Sequence, residues 1–330
     1  MSATIRDVAR QAGVSIATVS RVMREHDNVS PGTRDRVNAA VADLSFTPSS
    51  LGRSLAERRH AANGIVFPDL SGPYYAEVVL GYESVAAELG RSVLILSTHG
   101  RAAGPAMVEE MAGRCDGLVI MGQTVPDTVV ERLARRVPVV LLARPQIGTV
   151  DSVKADNVDS AKSLIEHVIA SGDRQIILIG DPDLSPDVAE RWAGFEKVAA
   201  AHPEVHLEQR HPGLFGERAG TNTVREAIRS GLPDAFVCAN DEMALGVLSE
   251  LRAHDIDVPG QVRVTGWDDI MAAKYAGLTT VRQPMRDLGG TAARLLDEII
   301  TGSRNHPRHE VLPTELVVRT SSGLSRKDMR

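Results

Sequence analysis

The chain has 330 residues, 43% of them hydrophobic and 24% charged, with a formal net charge of −6. That length exceeds one small module and suits two or three packed domains, and no run of about eighteen apolar residues is present to span a membrane. Arg6, Asp7 and Arg10 interrupt any apolar leader, so the cytoplasm is the expected compartment.

Charge is divided unevenly along the chain. Residues 1–60 hold nine Arg and no Lys against six Asp plus Glu, a balance of +3, which leaves 28 basic and 37 acidic residues, or −9, in the remaining 270. A basic head on an acidic body suits a segment that meets phosphates while the rest avoids them.

In that head, Ile5, Val8, Ala9 and Ala12 recur at three- and four-residue spacing, which predicts a first helix with Arg6 and Arg10 outside. Gly13 supplies the left-handed stop, and Ser15 is placed to cap a second helix starting near Ile16. Val19 and Val22 face the first helix, leaving Ile16, Ala17, Ser20 and Arg21 on the outer face, where a recognition helix meets the major groove. Ser30-Pro31 opens a third helix, with Val37, Ala40, Val41 and Leu44 at helical spacing. The bland alternative is a three-helix bundle that binds no DNA.

The run Asp7-Val8-Ala9, Ala12-Gly13-Val14-Ser15 and Ala17-Thr18-Val19-Ser20-Arg21-Val22 is similar to the headpiece of the lactose-repressor (LacI/GalR) family of bacterial transcription regulators. The resemblance continues through the whole chain. It implies a DNA-facing set of Thr4, Ser15, Ile16, Ala17, Thr18, Ser20, Arg21, Arg24 and Ser30. After Val22 the family usually continues with leucine and asparagine, where this chain has Met23 and Arg24, so a cationic contact replaces an amide one. Arg21 reading a guanine edge is the most specific of these contacts, while Ile16 and Ala17 suit a thymine methyl.

Pro48 to Arg59 has a capping serine after a proline and can form two turns of helix within it; so short a helix is marginal alone, so it is expected to fold on DNA. An ordinary flexible linker is the alternative reading. The resemblance makes it a hinge helix carrying Gly52, Arg53 and Leu55, with Leu55 as a wedge between base pairs in the minor groove. Gly52 stands where the family usually has alanine, which costs about 1 kcal/mol of helix propensity.

From Gly64 onward, short apolar runs at 64–67, 92–96, 117–120, 137–142, 175–179, 235–238 and 262–265 alternate with amphipathic stretches. That rhythm predicts parallel sheets covered by helices, in two doubly wound lobes. The resemblance implies a periplasmic-binding-protein-like α/β body behind an all-α helix-turn-helix headpiece. Its parts are a headpiece at 1–47, a hinge helix and linker at 48–60, and a body at 61–330. Within the body the N-lobe spans about 61–155 and 284–313, the C-lobe about 156–283 and 314–330, with crossings near 154–157, 282–285 and 312–315. Cys115 and Cys238 lie in apolar stretches that read as strands, predicting buried reduced thiols.

Ligands of such sheets sit beyond the carboxyl ends of strands. Asp69 and Ser71, Asp181 and Asp183, Asn240-Asp241 and Asp268-Asp269 fall at those ends and suit a polyhydroxylated ligand. Helix N-capping is the competing reading, favoured for Asp241 and Asp269; for Asn240 and Asp268 the resemblance favours ligand contact. It also points to Arg191, Phe215, Tyr74 and Tyr75, the two tyrosines reading equally as partly buried core. Leu141-Leu142-Ala143-Arg144 has alanine where the family often has an aspartate. The expectation is therefore that Arg144 reorganises to substitute or that the ligand binds differently.

These readings combine into a repressor that binds a pseudo-palindromic operator as a homodimer, controlled by a small-molecule effector, a sugar or sugar derivative, in the inter-lobe cleft. The alternative effector is a purine, nucleoside or phosphorylated metabolite. No cofactor, metal or membrane partner is expected. His99, His167, His206 and His211 lack a ligand-spaced partner and no Walker or dinucleotide glycine motif occurs, so an enzyme is not expected.

Overall fold

The computed structural model describes residues 3–23, 29–46, 60–213 and 215–323. It falls into two compact units, Met1–His60 and Ala61–Arg330.

In the first unit, α1 (Ile5–Ala12), α2 (Ile16–Met23) and α3 (Pro31–Asp43) close a small core of Val8, Ala9, Ala12, Val19, Val22, Val37 and Ala40. Thr4 and Asp7 form a capping box: the Thr4 hydroxyl accepts from the Asp7 N–H while the Asp7 carboxylate takes the Thr4 N–H at 3.0 Å. Gly13 ends α1 at φ 66°, conformation that a Cβ disfavours. Ser15 Oγ accepts from the Thr18 N–H at 3.1 Å and so caps α2. Ser30 departs from its expected role, because its hydroxyl donates to Thr33 Oγ1 at 2.9 Å instead of capping a backbone N–H.

The second unit alternates strand and helix because its apolar runs are continuous enough to be covered on both faces. A six-stranded parallel sheet carries β1 (Ala62–Phe67), β2 (Ser92–Ser97), β3 (Gly117–Met121), β4 (Val139–Leu142), β5 (Asp151–Ala155) and β11 (His309–Leu312), in the order β11-β5-β4-β3-β1-β2. Two apolar clusters pack against it. One joins α4 (Pro73–Glu88) and α12 (Met285–Thr301) to one face, and the other joins α5 (Gly104–Ala112) and α6 (Asp127–Ala134) to the opposite face.

A second parallel sheet has the order β7-β6-β8-β9, from β6 (Gln175–Ile179), β7 (His206–Arg210), β8 (Ala235–Cys238) and β9 (Arg263–Thr265). Its core takes in residues of α7 (Asn157–Ala170), α8 (Pro186–Ala199), α9 (Glu217–Ser230), α10 (Asp241–Ala253) and α11 (Met271–Ala276). An antiparallel pair of β10 (Thr280–Arg282) with β12 (Glu315–Val317) completes this lobe. The chain passes between lobes after β5, after β10 and after β11.

Seven strands were expected in the body and the described residues contain twelve. β7 (His-Leu-Glu-Gln-Arg) and β11 (His-Glu-Val-Leu) are edge strands that mix polar and apolar residues, β5 carries Asp151, Ser152 and Lys154, and β10 and β12 are three residues long, so none shows a long apolar run. Both cysteines are free and buried; Cys238 ends β8, but Cys115 lies in the turn before β3 rather than in a strand. Among the described residues no helix is long and apolar enough to cross a membrane, and no group of three or more His, Cys, Asp or Glu could hold a metal ion.

Candidate functional site

Two sites follow from these elements, one in each unit. On the headpiece, Val19 and Val22 anchor α2 to the core, so its opposite face is turned out: Ile16 is 45% exposed, Ala17 and Arg21 are exposed, and Thr18 and Ser20 are half-buried. An apolar residue held in water at the first turn of a capped helix has no packing role here, whereas it fits a groove. Thr4 and Ser15 serve the fold as caps. Arg24, Gly52, Arg53 and Leu55 lie outside the described residues.

In the body, a cavity of about 590 Å³ opens where the carboxyl ends of both sheets face each other. The N-lobe lines it with Asp69 and Ser71 after β1, Tyr74 and Tyr75 from the first turn of α4, His99 after β2 and Ala143 after β4. The C-lobe contributes Asp187 and Arg191 from α8, Phe215 after β7, Asn240 after β8, Glu242 in the first turn of α10 and Asp268 after β9. Gln283, in the crossing after β10, closes the base.

Arg191 is the fixed point of this cavity. It is 5% exposed, its Nε donates to Asn157 Oδ1 at 3.0 Å, its Nη1 donates to the Ala239 carbonyl at 2.6 Å, and its guanidinium lies 4.3 Å from the Trp267 ring centroid. Asp187, one helical turn earlier, accepts from Asn157 Nδ2 at 3.0 Å and stands 4.0 Å from Arg191 Nη2. Asp268 is 7% exposed and accepts from Gln283 Nε2 at 2.6 Å. Burial pushes its carboxyl up to about 7 against the opposing pull of Arg191, and burial likewise raises Asp187. Asp69 behaves differently: burial opposes its ionisation, but the Ser71 and Leu70 N–H groups outweigh it and hold the carboxyl below its ordinary value.

The aromatic wall is graded. Tyr74 and Tyr75 meet edge-to-face at 5.5 Å and Tyr75 meets Phe67 at 5.8 Å, which ties both tyrosines to the N-lobe core while they line the cavity. Phe215 is 41% exposed, a ring edge of the cavity with little packing of its own.

Several residues fall elsewhere than the sequence suggested. Arg144 does not line the cavity: it is buried beside α6, donating from Nη1 to the Gly122 carbonyl at 2.9 Å and pairing with Asp127. The chain turns through a left-handed φ of 49° at Ala143, and Arg144 then satisfies the end of β3 and the first turn of α6. Asn240 lines the cavity but spends Oδ1 on the Met243 N–H at 2.9 Å, so it is also the N-cap of α10. Asp241 is no cap; fully buried, it accepts from Thr280 Oγ1 at 2.6 Å and from the Ile270 N–H at 2.9 Å. Asp269 pairs with Arg282 and Arg319, and Asp181 turns back on the Asp183 N–H away from the cavity.

Asp187, Glu242, Gln283 and His99 were missed. The signal for Asp187 was present, since it lies four residues before Arg191 on the same helix face. Gln283 was legible only as a polar residue inside an expected crossing.

A helix-turn-helix unit followed by a two-lobed α/β body with a cavity at its strand ends defines DNA-binding transcriptional regulators that carry a ligand-binding domain. Residues 4–49 match the model of bacterial regulatory proteins of the lacI family, and residues 165–322 match that of a periplasmic binding protein-like domain. The HTH-type transcriptional regulator RegA of Clostridium saccharobutylicum is 30% identical over 98% of this chain and 100% of its own. Among solved structures, the lac repressor dimer bound to operator and the anti-inducer ONPF is 28% identical with a TM-score of 0.86, covering 98% of this chain and 100% of that one. A complex of the transcriptional regulator CelR with cellobiose is 29% identical with a TM-score of 0.72, covering 97% and 99%. The chain belongs to the lacI family of bacterial regulatory proteins. Its relatives are transcriptional regulators rather than enzymes.

Proposed function

We propose that this regulator is a repressor that binds a pseudo-palindromic operator as a dimer, and that a sugar or sugar derivative in the inter-lobe cavity sets its operator affinity. The observation that carries the reading is the cavity itself. Both lobes line it from strand ends, and a ligand that touches both lobes favours one relative orientation of them over another. A buried arginine, flanking carboxylates and an exposed phenylalanine are groups that hold adjacent hydroxyls and cover a sugar face. In the headpiece, Ile16, Ala17 and Arg21 are assigned to base edges. Lobe reorientation acts on the headpieces through residues 48–60 and so shifts operator affinity.

The dimer reading rests on likeness to the lac repressor dimer and on apolar side chains left in water. Met271 and Tyr275 on α11 are 79% and 80% exposed, and Leu94 and Ile95 stand out from edge strand β2. A two-fold protein on a two-fold site doubles a modest +3 headpiece.

The test is selection of duplexes from a randomised library, then titration of the selected site with a panel of sugars, polyols and purines. A two-fold symmetric site whose affinity one sugar shifts is the expected result. Enrichment of no site, or of an asymmetric one, counts against the operator reading; a site that responds to purines alone removes the sugar.

A further inference from the structure

The charge and hydrogen-bond balance of the cavity narrows the ligand further, and this step rests on the effector reading above. Among the described residues, the charged groups on the wall are four carboxylates, Asp69, Asp187, Glu242 and Asp268, set against the single guanidinium of Arg191, with the His99 imidazole beside Asp69 at 3.3 Å. That guanidinium is largely spent inside the protein, on Asn157, Ala239 and the Trp267 ring, with its Nη2 facing Asp187 only at 4.0 Å. Asp187 and Asp268 thus face a guanidinium whose hydrogen bonds go elsewhere, with Lys154 acting on Asp187 as well.

One neutral group leans the same way. Gln283 is 3% exposed and spends its amide N–H on Asp268, so its Oε1 is left as an acceptor with no partner. The Tyr74 hydroxyl, which can donate or accept, is also buried and unpartnered on this wall. A buried acceptor is costly until a donor reaches it, and two buried carboxyls facing one guanidinium ionise at a cost that a cationic partner relieves. What completes this corner is a donor-rich group that brings positive charge. A phosphate or carboxylate brings the opposite, into a wall with a surplus of acceptors.

We propose that the cavity selects a polyhydroxylated ligand bearing a cationic nitrogen, an amino sugar or aminopolyol, seated between Asp187, Asp268 and Gln283, and that it rejects anionic sugars. The hydroxyl-bearing part then lies toward Asp69 and Ser71, with Phe215 against its apolar face.

Matched trios test this on the full-length protein. D-glucose, D-galactose and D-mannose, each with its 2-amino and its 6-phosphate counterpart, are compared by thermal shift and calorimetry in wild type, Asp187→Asn and Glu242→Gln. The expected result is that an amino member binds about tenfold or more tighter than its neutral parent, the usual gain from a charge-assisted contact. Asp187→Asn then removes the preference, so that the amino and neutral members of a pair bind alike, and no phosphate binds. A neutral parent that binds at least as well as its amine overturns the cationic assignment and leaves the sugar reading intact. Tightest binding by a phosphate overturns it as well. An amine preference that survives in Asp187→Asn overturns the placement beside Asp187, and the absence of binding by every member overturns both this proposal and the sugar reading.

Discussion

Asp268 holds its backbone at φ 111°, a region that L side chains rarely enter, with a carboxyl buried beside Asp187, Glu242, Arg191 and Gln283. Such a residue is kept for what it touches, and its cost is readable as a pH dependence. Its carboxyl is pushed up to about 7 on folding from an ordinary value of about 3.9. The folded chain therefore holds this proton more tightly than the unfolded one. The associated stability is whole below about pH 4 and is lost as pH climbs through about 7. Without ligand, Asp268→Asn should remove that loss, making the body more stable than wild type by about 2–4 kcal/mol at pH 8 and little different at pH 4. Chemical denaturation across that range reads it directly, and parallel curves for the two proteins would show that Asp268 ionises at ordinary cost. At the other site, Arg21→Ala should cost about 1–3 kcal/mol of operator affinity and relax one base position. Equal weakening on every sequence would instead make Arg21 a phosphate contact.

In two helix pairs of the body, one in each lobe, a glycine on each helix meets the backbone of the other. A Cβ on Gly81 of α4 would overlap the Arg286 carbonyl, and one on Gly289 of α12 would overlap that of Val78; Gly220 of α9 and Gly246 of α10 stand in the same relation to Met243 and Glu217. Backbone cannot yield there as a flexible side chain does, so Gly81→Ala or Gly246→Ala should destabilise the body by about 2–3 kcal/mol through overpacking. Gly32 in the first turn of α3 meets nothing within 4 Å, and Gly32→Ala should leave the headpiece unchanged or up to about 1 kcal/mol more stable. Denaturation midpoints of the three variants check both signs, and a harmless Gly81→Ala would mean that the helices can part. Helix periodicity did not disclose these contacts, since a glycine in a helical run reads only as weak propensity. What was legible at this scale was whatever one segment decides alone: the Gly13 stop, the Ser15 cap, and the apolar runs of β1, β3, β6 and β8. Edge strands β7 and β11 gain their place from partners distant in sequence, and their residues carry little of that information.

The division into a headpiece and a doubly wound body was readable because charge, helix caps and strand rhythm change together near residue 60. The cavity was readable in part. Arg191 and Asp268 sit at its centre, whereas Arg144 was assigned from its position after β4, and its direction is set by Asp127, which no local pattern reveals. Whether two copies join is decided by surfaces, and here the exposed apolar side chains allow a sharp expectation. Tyr275 and Met271 lie one turn apart on α11, and Leu94 and Ile95 are adjacent on β2, the edge of its sheet. A large apolar or aromatic anchor at the centre of an interface is worth about 2 kcal/mol or more, and a buried unpaired charge in its place costs further. Ile95→Glu with Tyr275→Glu should therefore leave the body folded, since neither side chain supports a core, while shifting sedimentation at micromolar concentration from dimer to monomer. One headpiece of charge +3 then meets one half-site, so operator affinity should fall by more than the roughly thirtyfold that 2 kcal/mol represents, and its salt dependence should shrink with the halved number of phosphate contacts. A double variant that still sediments as a dimer would place the interface on another face; one that becomes a monomer yet binds the operator undiminished would remove the dimer from the mechanism of DNA recognition.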